Sequence, residues 1–257
     1  SIFMMLAPLA AVVSIGVILY AWRFRAGTAM PALMVLLVAV SGWTAFNTLE
    51  LGAQSPSMTA FWSKVSYPFI VLTPVAWLAF ALQYTSRDAW LAPQRFWVAC
   101  LVPLITLVLL ATNHYHELIW EEITFVRVGH LLAMHVEHGL WFWVHTIYSY
   151  ALVLVGALFI GQDTLRSFQL YRKQSIWLMA GALIPILTNM VYVLDLIPAL
   201  KKDYTSISFA LAALCFAIGM FRYRLFDLRP VARTRVVDTI NDAMYVLDPE
   251  GRIVDVN

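Results

Sequence analysis

The chain has 257 residues, 61% of them hydrophobic and only 12% charged, with a formal net charge of +2 and a mean hydropathy of +0.76. A soluble domain is about 45–50% apolar and about 25% charged, so this composition excludes a water-solvated globule and makes lipid the solvent. Ten tryptophans and eleven tyrosines fit the same reading, because both side chains favour the bilayer interface.

Seven stretches are long and apolar enough to cross a bilayer: 2–22, 30–53, 60–84, 96–112, 140–162, 175–196 and 204–222. The first is too long for a signal-peptide core and lacks a charged leader. It reads as a true span, and a start at Ser1 leaves room for a few residues before it. The second carries Asn47 and Glu50, three apart on one face. The third holds Tyr67, with Pro68 and Pro74, which in lipid kink a helix without ending it. The fourth is almost wholly apolar and contains Pro103. The fifth presents His145, Tyr148 and Ser149 on a shared face. The sixth steps by three through Asn189, Tyr192 and Asp195, after Pro185. Cys100 and Cys215 lie in separate apolar runs, where they serve as small apolar residues without a disulfide framework.

The long connection from Asn113 to Gly139 lies between the fourth and fifth spans. Its stretch ITFVRV alternates β-branched and aromatic residues, and GHLLAMHVEHG follows. This pattern predicts a short hairpin over the mouth of the bundle. All six histidines lie between His114 and His145, interleaved with Glu117, Glu121, Glu122 and Glu137. Their spacing matches no closed metal motif, so no metal site is assigned. His130, His135 and His138 remain the candidates if the loop binds one, and pH sensing is the other reading of the cluster. His116 reads as structural.

Lysine and arginine set the orientation. Arg23, Arg25, Arg87, Arg95, Arg166, Arg172, Lys173, Arg222, Arg224, Arg229, Arg233 and Arg235 fall on one side. Only Lys64, Arg127, Lys201 and Lys202 fall on the other. Twelve against four places the N-terminus outside and the C-terminus in the cytoplasm.

After Tyr223 the chain becomes charged and patterned. Residues 224–243 read as a juxtamembrane linker and signalling helix, broken at Asp227 to Pro230, with Val237, Ile240 and Met244 at 3-4 spacing. That seam suggests a homodimer, or equally an amphipathic linker packed on its own domain. Residues 244–257 read as strand, turn, strand about Asp248-Pro249-Glu250-Gly251. A hairpin this short buries no core, so it reads as a domain stopping at Asn257 before completion.

Several stretches together carry a resemblance: FALQYT in the third span, ATNHYHELIW opening the outer loop, HTIYSYALVLVGALFI in the fifth span, YRKQSIWLMAGALIPILTNMVYVL through the sixth, and the exit RYRLFDLRPVARTRVVDTINDAMYVLDPEGRIVDVN. The chain resembles the seven-transmembrane N-terminal sensor region of bacterial histidine kinases, followed by the start of a PAS domain. The fold expected is an all-α seven-helix membrane bundle over 1–223, with a short extracellular hairpin and a truncated α/β, PAS-like cytoplasmic start. The resemblance implies a receptor in the bacterial cytoplasmic membrane that controls a histidine kinase, or else a diguanylate cyclase or phosphatase, with a response regulator downstream. No catalysis within this chain, no cofactor and no nucleic-acid partner is expected, and the resemblance identifies no ligand.

The residues themselves suggest where a signal binds. Polar groups inside a membrane are costly and mark functional sites by default. Here they gather in the outer halves of the spans: Glu50, Tyr67, His145, Tyr148, Asn189 and Tyr192 are expected to border an outward-opening small-molecule pocket, with Trp43, Phe46, Trp141 and Trp143 supplying apolar lining. Glu50 and Asp195 could face a cationic ligand group, or His145 when protonated. The same groups could instead bond one another and hold helices together, and Asp195 could sit among headgroups. A retinal protein is disfavoured because the seventh span has no lysine, with Lys201 and Lys202 only at its mouth. A transporter would need a polar path through the midplane, and an enzyme a clustered nucleophile and base; neither pattern is present.

Overall fold

The computed structural model describes residues 29–128, 131–166, 169–194 and 205–223, together with Gly16, Leu196 and two short strands at 245–247 and 253–256. The span expected at 2–22 lies outside the described residues apart from Gly16, as do Asp195, Lys201, Lys202, His130, Pro230 and the seam of Val237, Ile240 and Met244. Six helices are described: α1 (Met30–Gly52), α2 (Pro56–Tyr84), α3 (Pro93–Ala111), α4 (Leu140–Arg166), α5 (Gln169–Val193) and α6 (Thr205–Tyr223). The first five contain stretches long and apolar enough to cross a membrane; the apolar part of α6, Ser208–Gly219, is shorter.

Local chemistry sets where these helices begin. Proline stands in the first turn of α1, α2 and α3, where a missing amide proton costs nothing and the fixed φ suits a helix. Ser55 caps α2, its hydroxyl accepting from the Met58 amide at 3.4 Å. Pro68 and Pro74 lie within α2, Pro103 within α3 and Pro185 within α5, and each helix continues through them, as expected where neighbours replace the lost bonds. Threonine hydroxyls at Thr44, Thr73, Thr106, Thr164 and Thr188 donate to carbonyls four residues back, leaving none of these protons unpaired in an apolar setting.

Helix α2 is the centre of the bundle, packing on α1, α3 and α4, while α5 packs on α4 and α6. Of its most apolar stretch 56% is buried in the protein, against 17% for α3, which stands at the periphery. The approach of α2 to α4 is close because Gly156 has no side chain. A Cβ there would meet Trp77 Nε1 at 2.5 Å; instead that indole donates to the Val153 carbonyl at 3.0 Å. Around this contact Leu33, Phe80, Ala81, Ile160, Leu178 and Phe216 form an apolar cluster. At the α2–α3 turn, Arg87 Nη2 reaches Asp163 Oδ1 on α4 at 3.1 Å.

The opposite end of the bundle is covered by an antiparallel hairpin, β1 (Trp120–Val128) and β2 (Leu131–His138), running in register from Trp120↔His138 to Val128↔Leu131 with an irregularity near Trp120. Asn113 fastens its base. The buried Asn113 amide accepts from the Ile119 and Trp120 amides at 2.9 and 3.1 Å and donates to the Trp120 carbonyl at 2.8 Å. His116 accepts from the Leu118 amide at 3.1 Å through Nδ1, so its Nε2 proton points at Thr112 Oγ1, 3.0 Å away. Gly139 closes the structure: a Cβ there would run into the carbonyl oxygens of Glu117 and Leu118, so only glycine lets β2 turn into α4 at this spot. Near the C-terminus, β3 (Tyr245–Leu247) pairs antiparallel with β4 (Ile253–Val256).

Candidate functional site

All six described helices and the hairpin line a partly open cavity of about 240 Å³, α3 through Thr106. On the other five helices the lining changes character with depth. Toward the hairpin, α1 contributes Asn47 and Glu50, α2 Ser63, Ser66 and Tyr67, α4 His145, Thr146 and Ser149, and α5 Asn189 and Tyr192. Deeper, the same helices supply Leu36, Leu37 and Val40, then Pro74 and Trp77, then Val153, then Ala182 and Pro185. Helix α6 repeats the pattern, with Thr205 above Phe209 and Phe216. Alternation along β2 turns Met134, Val136 and His138 onto the cavity and leaves His135 and Glu137 exposed.

Of the six side chains expected to border a pocket, five line this one: Glu50, Tyr67, His145, Asn189 and Tyr192. Tyr148 is not among the lining residues; its hydroxyl donates to the Ala99 carbonyl of α3. The reason is angular. From His145, the step to Ser149 turns about 40° one way and the step to Tyr148 about 60° the other. The face of α4 toward the cavity runs from His145 through Ser149 to Tyr150, which a strict three-four spacing rule passes over. Of the expected aromatics Trp43 lines the cavity, whereas Phe46 stacks between Trp62 and Phe69, and Trp141 donates to Thr106 Oγ1 at 2.9 Å. Trp77, Trp120, Phe142, Phe209 and Phe216 add further aromatic lining.

Many of these polar groups are also bonded to one another. Tyr150 donates to Asn189 Oδ1 at 2.8 Å, and Asn189 Nδ2 donates to Thr205 Oγ1 at 3.2 Å, a relay across α4, α5 and α6. Trp120 Nε1 donates to the Tyr67 hydroxyl at 3.1 Å, tying the hairpin to α2. Proton counting fixes one nitrogen of His145. The Thr106 hydroxyl gives its single proton to the Val102 carbonyl at 2.8 Å and accepts from Trp141. Its 3.3 Å contact with His145 Nδ1 therefore needs the proton on Nδ1, and Nε2 lies 3.2 Å from Ser149 Oγ, so both ring nitrogens have partners.

Two buried cavity-lining atoms have no partner among the described residues: Asn47 Oδ1 and His138 Nδ1. The His138 ring stacks on Phe142 with centroids 3.6 Å apart. Burial, with His135 nearby, pushes its pKa down to about 4, so at neutral pH it is uncharged. His135 and His138 lie three apart on one strand and so face opposite sides of the hairpin. Among the described residues no group of three or more His, Cys, Asp or Glu side chains is placed to hold a metal ion.

The arrangement is one of a partly open amphipathic cavity within an apolar helix bundle. The N-terminal 7TM region of histidine kinase, as a family, matches residues 6–230. The chain belongs to that family. This histidine-kinase 7TM region is a multi-pass membrane protein and a transmembrane sensor module. Two-component signalling places a kinase output and a response regulator downstream of such a module. No curated protein matches the chain. What the sequence alone passed over in the 7TM region are Asn113, Trp120, Tyr150 and Thr205; the tight ATNHYHELIW segment is the one sequence signal that pointed toward the first two.

Proposed function

We propose that this 7TM region detects a small-molecule signal in the cavity beneath the hairpin and passes its occupancy to a cytoplasmic histidine kinase. The supporting observation is the cavity itself: six helices contribute polar side chains to one space at the hairpin end, and two buried polar atoms there have no partner among the described residues. Polar groups placed in a lipid-solvated bundle are costly, and groups that served packing alone would be paired throughout. The charge distribution supports an orientation with the hairpin outside and Arg87 and Arg95 in the cytoplasm, in the bacterial cytoplasmic membrane. A PAS domain beginning near residue 244, and a dimer with its seam at Val237, Ile240 and Met244, complete the reading.

Transmission is carried by the relay from Tyr150 through Asn189 to Thr205, because α6 is the helix that leads to the cytoplasmic part. A ligand that binds one arrangement of that relay better than another shifts the balance between them by its differential affinity. The test uses the full-length protein in proteoliposomes. Ile186→Trp fills the cavity from α5, and Asn189→Leu cuts the relay. Both are expected to move the basal autophosphorylation rate while the protein stays folded. Folded variants with wild-type rates would reject the cavity as the input site.

A further inference from the structure

A second cavity lies toward the end of the bundle away from the hairpin, and its walls differ from those of the first. It is an open groove of about 440 Å³ between α2, α3 and α4. Val75, Leu78 and Leu82 of α2 form one wall, Val98 of α3 another, and Val155 and Phe159 of α4 the third. From Val75 to Leu82 is about two helical turns, so the groove runs roughly 10 Å along α2. Walls of this kind offer an acyl chain close dispersion contacts and offer water nothing to bond.

The mouth of the groove has another character. Trp90 stands there from the short 3-10 turn Asp88–Leu91, with Gln94 and Arg95 from the first turn of α3. Trp90 and Arg95 are exposed, and so are Phe96 and Trp97 beside them. Exposed tryptophan next to arginine in a membrane protein marks the depth at which hydrocarbon meets headgroups. The Arg95 guanidinium lies 5.4 Å from the centroid of the Trp90 ring, which holds it at the entrance. Helix α3 begins at Pro93, so the positive end of its dipole lies at the same place. Arg87, by contrast, is engaged by Asp163 at 3.1 Å over the Phe159 ring. Asp88 is exposed, where water screens it. The mouth thus presents a planar, permanently charged donor of the kind that suits a phosphate.

We propose that the groove holds one anionic phospholipid, an acyl chain packed between α2, α3 and α4 and its phosphate against Arg95. The chain fills the space by which α3 stands off from its neighbours. The lipid thereby acts as a wedge that positions α3, the helix that carries Thr106 to the first cavity and offers the Ala99 carbonyl to Tyr148.

The test holds the chains constant and varies the head. The full-length protein, delipidated in detergent, is titrated with dioleoyl-phosphatidylglycerol or dioleoyl-phosphatidylcholine and followed by native mass spectrometry. One phosphatidylglycerol per chain is expected to bind saturably, about fivefold tighter than phosphatidylcholine, the worth of one arginine against an anionic lipid. Arg95→Gln is expected to remove that preference. Val155→Trp, from an exposed position on the groove wall, is expected to abolish the first binding event for both lipids. Ala99→Phe fills the groove from α3 and should act alike, and thermal melting checks that each filler is folded. Equal binding of the two lipids, or a preference that Arg95→Gln leaves intact, would overturn the assignment of the head to Arg95 and with it the proposal. Binding untouched by the folded fillers would place the lipid elsewhere on the surface. No saturable binding at all would mean a groove closed by another part of the protein or by a second copy. Either result would overturn the site.

Discussion

Replacing Asn113 by alanine should loosen the hairpin without unfolding the bundle. One side-chain amide serves three backbone groups, the Ile119 and Trp120 N–H and the Trp120 carbonyl, with all three bonds between 2.8 and 3.1 Å. Ile119 and Trp120 are themselves almost fully buried, so water does not readily take the place of the amide. Leaving a buried backbone group unpaired costs about 1–3 kcal/mol. If water recovers the carbonyl, two stranded amides leave a loss on the order of 3 kcal/mol, which is roughly a hundredfold in the opening equilibrium of the hairpin base. Hydrogen–deuterium exchange of the intact protein in nanodiscs reads this directly: the Ile119 and Trp120 amides should exchange about a hundredfold faster in Asn113→Ala, while those of α2 stay protected. Asn113→Asp keeps the acceptor for both amides and loses only the donor, so its effect should be smaller. Amides in Asn113→Ala that exchange at nearly the wild-type rate would refute the claim that Asn113 fastens the hairpin.

Three further outcomes follow from contacts elsewhere. The pKa of His138 is about 4 in the closed hairpin against an ordinary 6.5, so the opened form binds the proton more tightly; the His138 contribution to closure is full above about pH 6.5, declines as pH falls toward 4, and amounts to on the order of 3 kcal/mol. Hairpin exchange, corrected for intrinsic rates, should show this pH step in the wild type and lose it in His138→Phe. Gly156→Val forces a methyl pair into the Trp77 indole, so thermal unfolding should register a loss of about 1–3 kcal/mol from overpacking together with the broken bond to Val153. Arg87→Gln removes a partly exposed pair with Asp163, and the change in unfolding should stay within about 1 kcal/mol; a larger loss would mean that the contact is better shielded than its exposure implies.

Much of the architecture was legible because lipid simplifies the code. A run such as PALMVLLVAV has few alternatives to a spanning helix, whereas the Ser55-Pro56 start of α2 was passed over by a span read from residue 60. The alternation in ITFVRV gave the hairpin for the same kind of reason. The cavity was partly legible because polar residues in apolar helices are rare, which made Glu50, Tyr67, His145, Asn189 and Tyr192 visible one by one. Periodicity, however, yields an angle about one axis and says nothing about which neighbour occupies that angle. Tyr148 and Tyr150 show the limit. Both are tyrosines in the hairpin-side part of α4, and only the placement of α3 on one side and α5 on the other decides that Tyr148 bonds a backbone carbonyl while Tyr150 joins Asn189. Asn113 was invisible as an anchor because its partners are main-chain atoms, which carry no sequence identity.

The seal formed where Trp77 crosses to Val153 also bears on what kind of quantity the module can report. Beneath it the described residues close into a layer of Leu33, Phe80, Ile160 and Leu178 with no polar side chain in the cluster. In a module that works by occupancy, as proposed, the time-averaged filling of the space depends on concentration and residence alone. Such a device behaves as a gauge: its reading can be taken repeatedly without depleting what it measures, and its useful range is set by the affinity of the walls.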